Sequence, residues 1–175
     1  MGLGEDLSSR LLDCSRMGKS SHSPDKHGVS FHLRMSVPGE SINLSEATRW
    51  LERLSGLKYG QARGIAPHKP LLLLVVCDLA EQGKLIGGLL HRNGDLAFRF
   101  SSYWRIVADR RRTKPDVRLP FFHMRTDGFW NPLEADGRTA EDRTRAVIAQ
   151  LDVSFLLCLE NSEFRQLARR TLIAK

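Results

Sequence analysis

Between residues 119 and 130 the chain reads LPFFHMRTDGFW, a concentration of rings, bends and basic groups that can fill a core or hold a ligand. Phe121, Phe122, Phe129 and Trp130 are core formers by type. His123 and Arg125 are hydrogen-bonding groups able to meet an anion. Leu119 with Pro120 offers a rigid apolar surface. Pro120 and the Asp127-Gly128 pair interrupt the segment too often for a helix, so it is expected to be extended, with alternate residues on opposite faces. On that reading Phe121, Phe129 and Trp130 anchor in the core. Phe122, His123 and Arg125 turn outward, and Leu119, Pro120 and His123 form one wall of a shallow cup.

Two other stretches carry the same kind of chemistry. His68 and Lys69 stand directly before PLLLLVVCDLA. The first amides of a helix have no internal partner and carry partial positive charge, so a His and a Lys placed there favour an anion. The plainer alternative is two solvated residues ahead of a helix. Further on, DRRRTKPDVR supplies Arg110, Arg111, Arg112, Lys114 and Arg118. Arg105 before this run and Arg63 in the Gly-rich loop KYGQARGIAPH extend the basic set, as does Arg125 after it. Most charge runs are solvated faces. This one is broken by Asp and Pro, so it is read as a loop able to fold over a phosphate backbone, giving affinity and salt dependence rather than base reading.

Catalytic and metal chemistry find little support. There is no P-loop, no GxSxG and no HExxH. A Cys77–His68 nucleophile would set the thiol two to three turns down a buried helix. Cys14, Cys77 and Cys158 form no CxxC pair, which argues against structural zinc. His91-Arg92-Asn93 echoes half of an HNH nuclease motif without the other half. No catalytic residue, metal or cofactor is therefore expected.

The elements that must position these groups are mostly helical. Ala47, Trp50, Leu51, Leu54 and Leu57 fall at helical spacing, with Asn43 or Ser45 as cap and Gly56 or Gly60 as stop. KPLLLLVVCDLAEQGK is apolar all round for its first two turns and is expected to be the central, buried helix. A third helix restarts at Asp95, with Leu96, Phe100, Tyr103, Trp104 and Val107 on one stripe. LIGGLLHRNGD is ambiguous. DGFWNPLEADG reads as a short strand pair around Asp127-Gly128 and Asp136-Gly137. TAEDRTRAVIAQL reads as a helix with a capping box, Thr139 to Asp142. VSFLLCL reads as a short buried turn, and NSEFRQLARRTLIA as an amphipathic helix through Phe164, Leu167, Ala168 and Leu172. The expected class is mainly α (α+β): one domain of about five to seven helices with a small β element, over residues 36–175.

Residues 1–35 are rich in Ser, His and Arg, lack a sustained apolar period, and read as a disordered basic tail. Met35 opens a cleaner sequence and is a second candidate start. No run resembles a signal peptide, and PLLLLVVCDLA is about half the length of a membrane span. With reduced, apolar-flanked Cys77 and Cys158, a cytoplasmic protein with no membrane partner is expected. The formal net charge is +7, compatible with a polyanion binder and equally with an ordinary basic protein.

Taken in order, APHKPLLLLVVCDLAEQGK, LPFFHMRTDGFW and LDVSFLLCLENSEFRQLARRTLI resemble the sulfur-binding domain at the N-terminus of HNH-type, modification-dependent restriction endonucleases. The resemblance covers most of residues 47 to 174. It implies a non-catalytic domain that binds double-stranded, phosphorothioate-modified DNA, with the cutting done by a nuclease domain in the same or a neighbouring protein. A phosphorothioate sulfur is larger and a weaker hydrogen-bond acceptor than oxygen, so a rigid apolar cup favours it over ordinary phosphate. In that family a Tyr-Pro pair, a small residue three positions after the Pro, and a basic residue before the KPLLLL helix meet the sulfur. The matching positions are Leu119, Pro120, His123 and His68. Pro120 keeps the pattern; Leu119 replaces the ring, His123 the small residue and His68 the Arg. Two other readings stay open: a protein-interaction or regulatory domain, and a general DNA binder without modification preference.

Overall fold

Helix α2 (His68–Glu81) is the central helix of the described residues because its sequence leaves no polar face for its first turns. Every residue from Pro70 to Cys77 is buried, and Leu79 with them. A helix of that kind must be surrounded, and it packs against four other helices. The computed structural model describes residues 43–57, 67–107 and 114–174. These form six helices and a three-stranded antiparallel sheet on one hydrophobic core, a mainly α architecture with a small β element.

Helix α1 (Leu44–Ser55) begins at Asn43, whose side chain accepts from the Ser45 amide, and ends at Gly56. It buries Trp50 and Leu54. The Trp50 ring meets Phe129 at 5.3 Å and Phe155 at 4.8 Å, and its Nε1 donates to Ser154 Oγ at 3.0 Å. Helix α3 (Gly94–Val107) buries Leu96, Phe100 and Trp104 on the predicted stripe, with Tyr103 and Val107 partly covered. Asn93 serves as its cap: its Oδ1 accepts from the Leu96 amide at 3.0 Å. Ahead of it, Gly87 and Gly88 take positive φ in a 3-10 turn that leads into β1 (Leu89–His91).

The sheet order is β1-β3-β2, with β2 at Trp130–Leu133 and β3 at Ile148–Leu151. Pro132 is tolerated because β2 is an edge strand. The predicted strand pair over 127–137 is replaced by a longer pairing, Trp130 with Leu151 through Leu133 with Ile148. Asp136-Gly137 still forms a turn, closed by a single bridge from Leu133 to Thr139. The predicted helix over TAEDRTRAVIAQL does not form. Asp142 Oδ1 accepts from the Thr144 amide at 2.6 Å and the Arg145 amide at 3.1 Å, a local turn that satisfies the same amides a helix cap would. The chain then extends into β3, where Ala149 and Leu151 point into the core.

VSFLLCL is a helix, not a turn: α5 (Val153–Glu160) is capped by Asp152, whose carboxylate accepts from the Ser154 and Phe155 amides. Asn161 caps α6 (Ser162–Ile173), which buries Phe164, Ala168 and Leu172. Leu167 is 41% exposed, off the buried stripe where the sequence reading placed it. Asp78 accepts from Tyr103 Oη at 2.8 Å and from Arg169 at 2.9 Å, joining α2, α3 and α6. No helix among the described residues is long and apolar enough to cross a membrane.

Candidate nucleic-acid interface

The segment that opened the sequence analysis is not extended. Residues Arg118–His123 form a short helix, α4, and Met124–Asp127 continue it as a 3-10 turn. Asp116 starts α4 by accepting from the Arg118 amide at 3.0 Å and from its guanidinium at 2.9 Å. Pro120 is the third helical residue, within the first turn, where its missing N–H leaves no ladder bond unmade. Proline here is therefore part of a helix start rather than a break.

Helical geometry reassigns the side chains. Pro120, Phe121, Phe122 and Met124 are all buried. Pro120 therefore cannot be an exposed wall of a cup, and Phe122, 7% exposed, does not face a ligand. Both differ from the expectation for an extended strand, because a 100° turn per residue replaces alternation. The expected core anchors hold: Phe121 and Phe129 are fully buried, and Trp130 Nε1 donates to the Phe121 carbonyl at 2.8 Å. What α4 and the 3-10 turn present outward is His123 and Arg125, both exposed, while Leu119 is half-buried. The Arg125 guanidinium lies over the Phe122 ring, 4.1 Å from its centre. The buried ring thus seats a cation rather than facing outward.

The start of α2 reaches the same place. Lys69 Nζ lies 2.6 Å from Asp127 Oδ2, with the two side chains only 19% and 11% exposed. Fifty-eight positions apart in sequence, the two motifs are thereby tied together. His68 is half-buried, its ring 4.5 Å from Trp104 and 6.5 Å from Phe100. The pKa of His123 is lowered from the ordinary value of 6.5 by partial burial first, then by the charges of Lys69, Arg125 and Arg143, with Asp127 opposing. The charges that bear on His123 are thus those of Lys69, Arg125, Arg143 and Asp127.

Two further cations escaped the sequence reading. Arg143 stands on the turn before β3, in a stretch read as helix, where nothing in the residue pattern singles it out. Arg53 leaves α1, covers the Trp50 ring at 4.8 Å, and lies close enough to Gly128 that a β-carbon there would stand 2.7 Å from its Nη1. Among the described residues neither makes an ion pair, and neither does Arg125.

The remaining basic positions fare differently. Arg118 is paired with Asp116, which reduces what it offers a phosphate. Arg105 and Lys114 are exposed. Arg63, Arg110, Arg111 and Arg112 lie outside the described residues. Arg92 holds the turn before β3 in place: its guanidinium donates to the carbonyls of Ala146 at 2.6 Å and Thr144 at 2.8 Å. Burial, and then the Arg118 charge, lower its pKa. With Asn93 capping α3, the His91-Arg92-Asn93 stretch is structural. Burial pushes the Cys77 thiol up to about 12 and Cys158 to about 11, far from a nucleophile at neutral pH. Among the described residues no group of His, Cys, Asp and Glu is placed to hold a metal ion. Compared with known proteins, the chain matches no family model and no curated sequence.

Proposed function

We propose that this chain is a DNA-backbone recognition domain of a modification-dependent restriction system, reading phosphorothioate-modified duplexes. The observation that carries the backbone reading is the face built from α4 and the 3-10 turn. Arg125 is seated on Phe122, and its charge and that of the sheltered Lys69 both bear on His123. Mobile surface cations must lose side-chain freedom to hold a phosphate; a guanidinium already fixed on a ring loses less. Arg143 and Arg53, both without ion pairs among the described residues, widen the positive face. The net charge of +7 supplies the long-range attraction that a polyanion partner needs.

Preference for sulfur rests on the resemblance of the three motifs and on the apolar flank left by half-buried Leu119. The burial of Pro120 favours a second reading, a general duplex binder held by charge without modification preference. One experiment tests both. Matched phosphorothioate and ordinary duplexes are titrated against the full chain over a salt series. Binding that weakens linearly in log salt supports a DNA-backbone domain. A lower Kd for the modified duplex supports the sulfur preference, and equal Kd values leave the charge-only reading. Salt-independent indifference to both duplexes refutes DNA binding and points to a protein-interaction domain.

A further inference from the structure

We infer that Asp127 limits the affinity of this face: in the free protein it holds Lys69, and a DNA phosphate must take Lys69 from it. The inference rests on the DNA-backbone reading and deepens it. Asp127 is the carboxylate that holds Lys69, and its charge bears on His123 together with those of several cations from different elements. Lys69 comes from α2, with His68 behind it against Trp104; His123 comes from α4, Arg125 from the 3-10 turn and Arg143 from the turn before β3. Arg53 of α1 reaches Gly128, the next residue along. The Lys69–Asp127 pair is sheltered, at 2.6 Å with 19% and 11% exposure, so water and salt screen it less than an ordinary surface pair.

A carboxylate so placed is either a strut or a competitor. As a strut it only fixes the 3-10 turn to the start of α2. As a competitor it also opposes each incoming phosphate, both by neutralising Lys69 and by direct repulsion. The competitor role is favoured because the acid is spent on sheltered Lys69, while Arg125 and Arg143, whose charges bear on the adjoining His123, make no ion pair among the described residues. Lowering affinity for any backbone is a recognised route to specificity, since a duplex lacking the right modification is then held too weakly.

The test compares the full chain with Asp127→Asn, binding a short ordinary duplex by fluorescence anisotropy across a salt series, with a thermal melt of each protein. Asp127→Asn is expected to bind about tenfold tighter at low salt, the gain from one freed charge-assisted contact. Its slope of log K against log salt should steepen by about 0.9 for the added phosphate contact. Equal or weaker binding by a folded Asp127→Asn overturns the inference. Should that variant not fold, Lys69→Met and Lys69→Met/Asp127→Asn carry the test. The double variant must bind tighter than the single, since it removes the acid without stranding a lysine, and equal binding overturns the inference. If wild-type protein shows no salt-dependent binding at all, the DNA-backbone reading falls and takes this inference with it; wild-type binding with an indifferent Asp127→Asn overturns the inference alone.

Discussion

Replacing Pro120 by Asp separates a buried α4 from an exposed apolar wall. Pro120 is buried in α4 beside Phe121, Phe122 and Met124, all of them core residues. The substitution removes two ring methylenes, at about 0.8 kcal/mol each, or about 1.6 kcal/mol. It also buries a carboxyl group among apolar neighbours. The group would bind a proton rather than stay charged, but an unpartnered neutral polar group still costs about 2 kcal/mol. The total, roughly 4 kcal/mol, is a large fraction of the roughly 5–15 kcal/mol that holds a domain together. At about 3 °C per kcal/mol for a domain of this size, the melting midpoint should fall by about 12 °C. Pro120→Ala loses the methylenes alone, so its midpoint should fall by about 5 °C. The deficit of Pro120→Asp should also grow with pH. A buried carboxyl has its folded pKa raised above the unfolded value of about 3.9, so stability drops as pH climbs from there toward the folded value. Thermal melts followed by circular dichroism at pH 4 and pH 8 read all three effects. A Pro120→Asp protein that melts within about 2 °C of wild type would refute the burial of α4 and restore Pro120 to the surface.

Four further expectations follow from the geometry. His123 has a lowered folded pKa, so the unfolded chain binds more protons between that value and 6.5, and stability should decline as pH falls through this window and then level off; a bound phosphate reverses the preference, so duplex binding should tighten over the same fall, and His123→Gln should remove that pH dependence in an anisotropy titration. Phe122→Leu keeps the site apolar but removes the ring under Arg125, so it should cost about 1 kcal/mol in a denaturant melt and weaken duplex binding about threefold, the size of an exposed cation–π contact. The Asp78 hydrogen bond and burial, burial first, hold Tyr103 near 12, so Asp78→Asn should move its ultraviolet tyrosinate transition toward 10 and lower stability by about 1–3 kcal/mol for the partners left unmet. In a Cys14→Ser background neither Cys77 nor Cys158 should react with a disulfide reagent at pH 8 until denaturant is added, because burial holds both thiols protonated.

The helices that the sequence announces are those whose apolar spacing runs for several turns. In α1 and α3 that spacing fixes the buried stripe, and in α2 the absence of any polar face predicts the central position. The larger failures come from short signals with two physical meanings. Pro120 breaks a helix interior but is acceptable in a first turn, and only packing against α2 decides which applies. The Asp142 carboxylate bonds the same amides whether a helix or a turn follows; pairing of Ala149 and its neighbours with β1 and β2 decided for the turn. The candidate site was legible in its parts, His68-Lys69 and the His123–Arg125 stretch. Their connection through Asp127, and the contributions of Arg143 and Arg53, are tertiary facts with no local pattern.

The placement of the cations follows from the way the aromatic segment is folded. An extended strand would have divided LPFFHMRTDGFW into inner and outer rings, with the outer ones available to a ligand. The helix instead sinks Pro120, Phe121 and Phe122 together, and the 3-10 turn that follows brings Arg125 back over Phe122. Trp130 locks this arrangement from behind by donating to the Phe121 carbonyl, and Asp127 locks it from the front through Lys69. On the proposed DNA-backbone reading, the rings act on a ligand at one remove. They hold the positive groups in fixed positions, so that less freedom is lost when a phosphate arrives. If the proposal holds, such a surface would recognise charge and spacing first, and any preference for sulfur would have to come from the little apolar area left beside it at Leu119.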